Sequence, residues 1–354
     1  MRFGLFSNGQ GIREYDRTVD AWAADVAEIV LCEQLGMEEA WVSEHRASFL
    51  PDALPVPELM ITKAAALTER IVMGTAVRRL GFYDPTQVAR EAACTDILTD
   101  GRYVLGAGSG PCAADVDQHA AALEALNLIS RCFEEEQPFD HIGKYYQHKG
   151  VAIWPKPISR KLPIAVASTT QPLIAEAARR GWRLLTSQWA SAKTISRLTT
   201  MFKDTLEGLG QPARPQDITA TRGLYIADTD ERAFAEVVPA LRRHLDYTRK
   251  YFDFSLADFR RPGEDYSDMT VEKLIEDGLL FIGSPDTVRE KIEDFYEKSG
   301  GFGQFLIVGG KDWGKEEQRI RSFELFATKV MPHLRHLGAE EGQASVLPRA
   351  HVMA

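Results

Sequence analysis

The chain has 354 residues, 44% of them hydrophobic and 26% charged, with 42 Lys and Arg against 51 Asp and Glu for a formal net charge of −9. This composition excludes a collagen-like chain, a chain disordered throughout and a disulfide scaffold, and it offers no basic face for a nucleic-acid backbone. No apolar run reaches the roughly 18 residues of a bilayer span and the N-terminus lacks a signal-peptide pattern, so a cytoplasmic protein without membrane attachment is expected.

The elements alternate along the chain. Arg2–Ser7 reads as a strand, followed by a helix from Asp20 with Trp22, Val26, Ile29 and Val30 at helical spacing and Gly36 where a C-terminal cap belongs. Glu39–Val42 is a second strand, Pro57–Thr68 a helix and Arg70–Val77 a third strand. Pro85 opens a helix through Leu98, and Tyr103–Gly106 is a fourth strand. Further strands are expected at Ile164–Ala167, Arg183–Thr186, Ala220–Ile226 and Gln304–Val308. Helices lie between them at Leu173–Gly181, Ala190–Leu209 and Asp230–Lys250, another starts at Ser284-Pro285, and a last one covers Glu316–Val330. Eight strands separated by helices are the count of a TIM (β/α)8 barrel. Two insertions interrupt the rhythm, a hairpin at 143–157 and a long charged stretch at 241–278. Residues 1–337 read as one domain and 338–354 as a frayed, disordered tail.

In such a barrel the chemistry sits at the C-terminal ends of the strands. That rule selects Ser7 and Asn8, Ser43-Glu44-His45-Arg46, Arg78 and Arg79, Gly106–Gly110, Ser168-Thr169-Thr170 and Ser187-Gln188-Trp189. His45 is the one histidine at a strand end, and it is either paired with Glu44 or functional. Gly106–Gly110 lets backbone approach a phosphate, and Ser168–Thr170 opens a helix with hydroxyls and free amides, so the two form halves of a mononucleotide phosphate site. Pro111 follows at once, and no glycine-opened helix completes a dinucleotide fingerprint. Cys32, Cys94, Cys112 and Cys132 match no zinc or redox spacing, HExxH and GxSxG are absent, and no metal is expected.

The blocks MRFGLF, GMEEAWVSEH, RIVMGTAV, TDGRYVLGAGSG, LPIAVAST with AEAARRGW, GSPDTVREKIEDF and FELFATKVMPHL follow one another over about residues 1–337. In that order and at those intervals they resemble the luciferase-like flavin monooxygenases, the luciferase α subunit and limonene-type monooxygenases among them. The resemblance implies a TIM-barrel enzyme that takes reduced FMN from a separate NAD(P)H:flavin reductase. It then uses O2, through a flavin C4a-hydroperoxide, on a small organic substrate. It also implies a homodimer.

By the same resemblance His45 falls on the family's catalytic histidine, in a block where Arg46 replaces a second histidine. Ala76-Val77 falls on a non-proline cis peptide beneath the flavin ring, and Trp189 near an aromatic that borders the ring. Gly108, Ser109, Ser168, Thr169 and Thr170 fall on the phosphate loops. Ser109 stands where luciferase α has an arginine, and Thr169 where it has a glutamate, which leaves Arg78 or Arg79, or the backbone dipoles, to offset the phosphate charge. Phe6, Asn8, Arg46 and Phe82 are expected in the substrate pocket, with Tyr83 and Trp189 as further wall candidates and 241–278 as a lid. Two alternatives stay open: a deazaflavin-dependent hydride-transfer enzyme of the same fold, and a non-catalytic flavin-binding partner subunit.

Overall fold

Eight parallel strands close into a ring: β1 (Arg2–Ser7), β2 (Glu39–Val42), β3 (Val72–Thr75), β4 (Tyr103–Gly108), β5 (Ile164–Ala167), β6 (Arg183–Leu185), β7 (Ile218–Ile226) and β8 (Gln304–Val308), which pairs back to β1. These are the eight strands expected from the sequence. The computed structural model describes residues 1–8, 18–45, 54–110, 116–158, 160–251, 253–260 and 263–338; the expected tail lies outside them, as does Arg46.

The strands are nearly continuous apolar runs because both faces are covered. Around the ring stand α1 (Thr18–Gln34), α2 (Pro57–Ala65), α3 (Pro85–Leu98), α4 (Gln118–Glu134), α5 (Gln171–Arg180), α6 (Ala192–Gly208), α7 (Asp230–Tyr251), α8 (Val271–Glu276), α9 (Pro285–Lys298) and α10 (Glu316–Leu325). Local signals set several of their ends. Asp84 accepts from the Thr86 and Gln87 amides at the start of α3, Ser284 accepts from Thr287 at the start of α9, and Gly181 ends α5 with φ of 68°.

The barrel interior explains why the site lies where it does. Trp41 on β2, 1% exposed, fills the middle of the ring with Val72, Val104, Ala165, Leu185 and Leu306. Gly74 and Gly106 make room for it, since a Cβ on Gly74 would stand 2.6 Å from the indole and one on Gly106 3.0 Å from it. Beneath Trp41 the buried Glu39 carboxylate accepts from Arg183 at 2.9 Å and from the Trp41 indole N–H at 2.9 Å, and lies 3.4 Å from Arg2. Burial alone would raise the pKa of Glu39, but Arg183 and Arg2 hold it below the usual carboxylate value. The N-terminal end of the barrel is therefore sealed by charge, and the C-terminal end is left for ligands. There the ends of β1 and β8 are tied together: Ser7 donates to Asp25 at 2.5 Å, and the buried Lys311 after β8 bridges Asp25 and Glu28.

Some features depart from the sequence reading. The hairpin begins earlier, with strands Phe139–Ile142 and Gln147–Val151, and its turn is held by Glu124 of α4, which accepts from the amides of Lys144, Tyr145 and Tyr146. A strand at Leu280–Gly283 extends the C-terminal half of β7 outside the ring. The charged stretch 241–278 carries the end of α7, a 3₁₀ segment at Asp253–Phe259 and α8, and it has a core of its own: Leu245, Leu256, Phe259, Met269, Leu274 and Ile275 pack with Trp313. It is a built helical cap rather than a long loop.

Candidate active site

The C-terminal mouth of the barrel has two halves. On the side of β2 to β5, the Ala76–Val77 peptide is cis, as the resemblance implies. The hydroxyl of the preceding Thr75 donates to the Gly106 carbonyl at 2.8 Å and accepts from the Gly106 amide at 3.0 Å, which locks the ends of β3 and β4 together. Phe6, Ala76, Val77 and Ala167, all partly buried, pack on the Trp41 cluster and form a floor of mostly small side chains. Gly108 lets Val77 pack onto the end of β4, because a Cβ there would meet the Val77 side chain at 2.8 Å.

The two segments expected from the sequence to form halves of a phosphate site lie side by side. Gly108 is in register with Ala167 on β5, so Ser109 and Ser168 leave adjacent strand ends. Ser168 Oγ lies 3.0 Å from Thr170 Oγ1 and accepts from the Thr170 amide at 3.1 Å, and no side chain caps the α5 N-terminus that follows. Thr169 is exposed. Next to them a two-residue strand, Arg78–Arg79, pairs with β4, with Arg79 opposite Gly108.

The two arginines have different fates. Arg78 is 1% exposed and surrounded by carboxylates, with Glu91 at 2.8 Å, Glu58 at 3.1 Å and Glu44 at 3.4 Å, and its guanidinium lies 3.9 Å from the centre of the Tyr83 ring. Burial works against its charge, yet Glu58 and Glu44 raise its pKa above the ordinary value. Arg78 thus cannot serve a ligand phosphate, which corrects one of the two sequence candidates. Arg79 is partly exposed, lies 5.1 Å from the centre of the Phe82 ring and forms no ion pair with the described residues. Phe82 itself is 38% exposed at this outer rim rather than enclosed in a pocket.

His45 follows β2, its amide bonded to the Leu54 carbonyl at 2.9 Å. Glu44 is held by Tyr83, whose hydroxyl donates to it at 2.9 Å, and by the Arg79 amide at 3.3 Å. Among the described residues His45 Nε2 is buried and has no hydrogen-bond partner. Burial first, and the charge of Arg79 second, push the imidazole down to a pKa of about 4. At neutral pH His45 is therefore an uncharged ring.

The other half of the mouth, at the ends of β6, β7, β8 and β1, is a cleft that opens to solvent. Asn8, Trp189, Gly223, Val308 and Gly310 line its barrel side, and α7, α8 and the 3₁₀ segment roof it with Leu241, Leu245, Leu256, Val271 and Leu274. Of the residues expected in a substrate pocket, Asn8 reaches this cleft while Phe6 belongs to the floor of the other half. Trp189 lines it and stacks on His244 of α7, with ring centres 6.3 Å apart and planes 10° apart. The turn carrying Trp189 is fixed by the fully buried Arg222, which donates to the carbonyls of Ala190 at 2.7 Å, Gln188 at 3.2 Å and Gly278 at 2.9 Å. His244 and Trp313 escaped the strand-end rule because one lies on a helix and the other in the segment before α10.

A parallel barrel with its reactive groups gathered at the C-terminal mouth is the architecture of a TIM-barrel enzyme. The family model described as luciferase-like monooxygenase matches residues 1–301, and the chain belongs to that family. It is 28% identical over 323 residues to the 4-hydroxyprotoasukamycin monooxygenase of Streptomyces nodosus subsp. asukaensis, covering 85% of this chain and 83% of that one. It is also 28% identical over 313 residues to the limonene 1,2-monooxygenase of Rhodococcus erythropolis, covering 85% and 78%. The oxygenating constituent of 3,6-diketocamphane monooxygenase from Pseudomonas putida, solved in complex with FMN, shares the fold with a TM-score of 0.79 at 23% identity, over 94% of this chain and 98% of that one.

Proposed function

We propose that the protein is the oxygenase component of a two-component flavin-dependent monooxygenase. In this reading it accepts reduced FMN from a separate NAD(P)H:flavin reductase and uses O2 to oxygenate a small organic molecule. The observation that carries the reading is the neutral His45, with a buried nitrogen that the described residues leave unpartnered, in a chain whose family and curated relatives are monooxygenases. The residues present suit the cofactor. Ala76, Val77 and Ala167, partly buried on the Trp41 cluster, offer a surface of small apolar side chains against which a planar ring system would pack. Ser109, Ser168, Thr170 and the first amides of α5 offer donors to a phosphate, and Arg79 supplies the nearby cation.

Bound there, reduced FMN would supply the electrons that activate O2. The protein's part is to exclude water from the mouth and to manage a proton. As a neutral ring, His45 accepts a proton through Nε2 and returns it, assistance worth about 10² to 10⁴ in rate. His45→Ala is expected to keep its affinity for reduced FMN and to lose turnover by at least about 10²-fold. Anaerobic titration and product formation with a reductase measure the two effects separately, and unchanged coupled oxidation in the variant would refute the role. Tight binding of reduced deazaflavin with no oxygen uptake would favour hydride transfer instead. Product formed by the purified chain and reductase, without a second subunit, excludes a non-catalytic partner.

A homodimer is part of the same reading. Leu59 (68% exposed) and Leu67 (57%) on and after α2, and Leu98 (65%) at the end of α3, present apolar surface that a second copy would cover. Sedimentation at micromolar concentration tests this, with Leu59→Glu and Leu98→Glu together expected to give monomers.

A further inference from the structure

We propose that the cleft under the α7–α8 cap is the subsite for the organic substrate, and that it selects an uncharged, mainly apolar molecule whose single carbonyl or hydroxyl group is met by Trp313 and His244. The proposal rests on the monooxygenase reading above and narrows its substrate class. Three observations support it.

The first is the wall chemistry. Among the described residues, no Asp, Glu, Lys or Arg lines the cleft, although 26% of the chain is charged. Eight aliphatic side chains do: Leu241, Leu245, Leu256, Val271, Leu274, Leu279, Leu280 and Val308. A carboxylate, sulfonate or ammonium entering it would lose its hydration with no counter-charge to replace it. An aliphatic ring or chain gains from the same burial.

The second is an unmet donor. The Trp313 indole N–H is buried and finds no acceptor among the described residues, in a side chain 4% exposed. It lies against Gly310, another wall residue, close enough that a Cβ there would stand 2.2 Å from Nε1. A buried donor of this kind calls for a partner, and a ligand oxygen would provide one. His244, partly buried and stacked on Trp189, stands in the same wall. Burial lowers its pKa, so it lines the cleft as a neutral ring.

The third is placement. Asn8 belongs to the cleft and its carbonyl accepts from Ser43 Oγ, two residues before His45. The cleft thus abuts the half of the mouth that carries His45, and a molecule held in it lies beside that half.

The test is calorimetric titration of the flavin-free protein with cycloalkanones of five to twelve carbons, the matching cycloalkanes and the matching cycloalkanecarboxylates. Ketone affinity is expected to rise roughly fourfold per methylene until the cleft is full and then to fall. The carboxylates are expected to bind at least about tenfold more weakly than the ketones. Trp313→Phe and His244→Phe are each expected to weaken ketone binding by about two- to tenfold while leaving the cycloalkanes unchanged. Leu274→Trp, which fills the cleft, is expected to abolish binding, and Leu256→Ala to move the optimum to a larger ring. Carboxylates that bind as well as ketones, ketones that do not bind, or binding indifferent to both Leu274→Trp and Leu256→Ala would overturn the proposal. Reduced-FMN affinity, measured in parallel, separates the two readings. Cleft-dependent ketone binding in a chain that takes no flavin would sink the monooxygenase reading and leave the cleft, and normal flavin binding with no cleft-dependent ketone binding does the reverse.

Discussion

A histidine with a pKa near 4 holds no proton at neutral pH, and the causes of that pKa at His45 are separable. Burial is the larger and the charge of Arg79 the smaller. Arg79→Gln should therefore raise the pKa without restoring the ordinary value of about 6.5. The sign of the stability effect follows from linkage. The unfolded chain takes up a proton as pH falls through about 6.5 while the folded chain does not until about 4, so His45 costs stability progressively across that window and nothing above it. Imidazole proton shifts followed against pH, assigned by loss of the signal in His45→Gln, measure both effects. A titration near 6.5 in the unsubstituted protein would mean that the ring is open to water rather than buried. His45 was legible in the sequence because it directly follows a strand. The difference between Arg78 and Arg79 was not, because the carboxylates around Arg78 come from the end of β2 and from α2 and α3 and meet only in the folded chain.

Among the elements, the junction of β3 and β4 is the least tolerant place in the barrel. A Cβ on Gly106 would stand 1.7 Å from the Thr75 carbonyl oxygen, which is backbone and cannot swing aside. Gly106→Ala is expected to cost about 3 kcal/mol or more by overpacking, read by urea unfolding. Gly36→Ala, where nothing lies within 4 Å but φ is +81°, should cost only about 1–2 kcal/mol for the left-handed backbone. Equal losses at the two sites would show that β3 and β4 can part to admit a methyl group. The eight ring strands could be read because burial on both faces writes them as short apolar runs between turn residues, and the helices because Gly36, Pro85 and Ser284 mark their ends. The cap could not be read in the same way. Its apolar residues, Leu245, Leu256, Met269 and Leu274, are scattered among charges over three short helical pieces, so no single period announces them. Nor does any local pattern tell that α7 and the loop after β8 would bring His244 and Trp313 to one wall.

At the scale of the whole molecule, the cap and the barrel bury two distinct apolar clusters, one around the ring and its outer helices and the other within 225–282 and Trp313. Elements with separate cores can open with free energies below that of global unfolding, and an oxygenating site needs both an entry route and exclusion of water once its substrate is held. Arg222 is one tie across this seam, joining the turns at Gln188–Ala190 and Gly278 while itself fixed on β7. In the ligand-free protein the amides of α8 and of the 3₁₀ segment at Asp253–Phe259 should exchange with solvent faster than those of β1 to β8. A cyclic ketone of the size that binds best should slow the cap amides severalfold and leave α9, on the barrel's outer layer, unchanged. Arg222→Met, which removes the tie but keeps an apolar contact with Phe295, should speed cap exchange while leaving the ring strands protected. Hydrogen exchange read by mass spectrometry distinguishes these outcomes. Cap amides as slow as the strands, and unmoved by ligand or by Arg222→Met, would show one cooperative unit, and entry to the cleft would then have to run through its open mouth without movement of the cap.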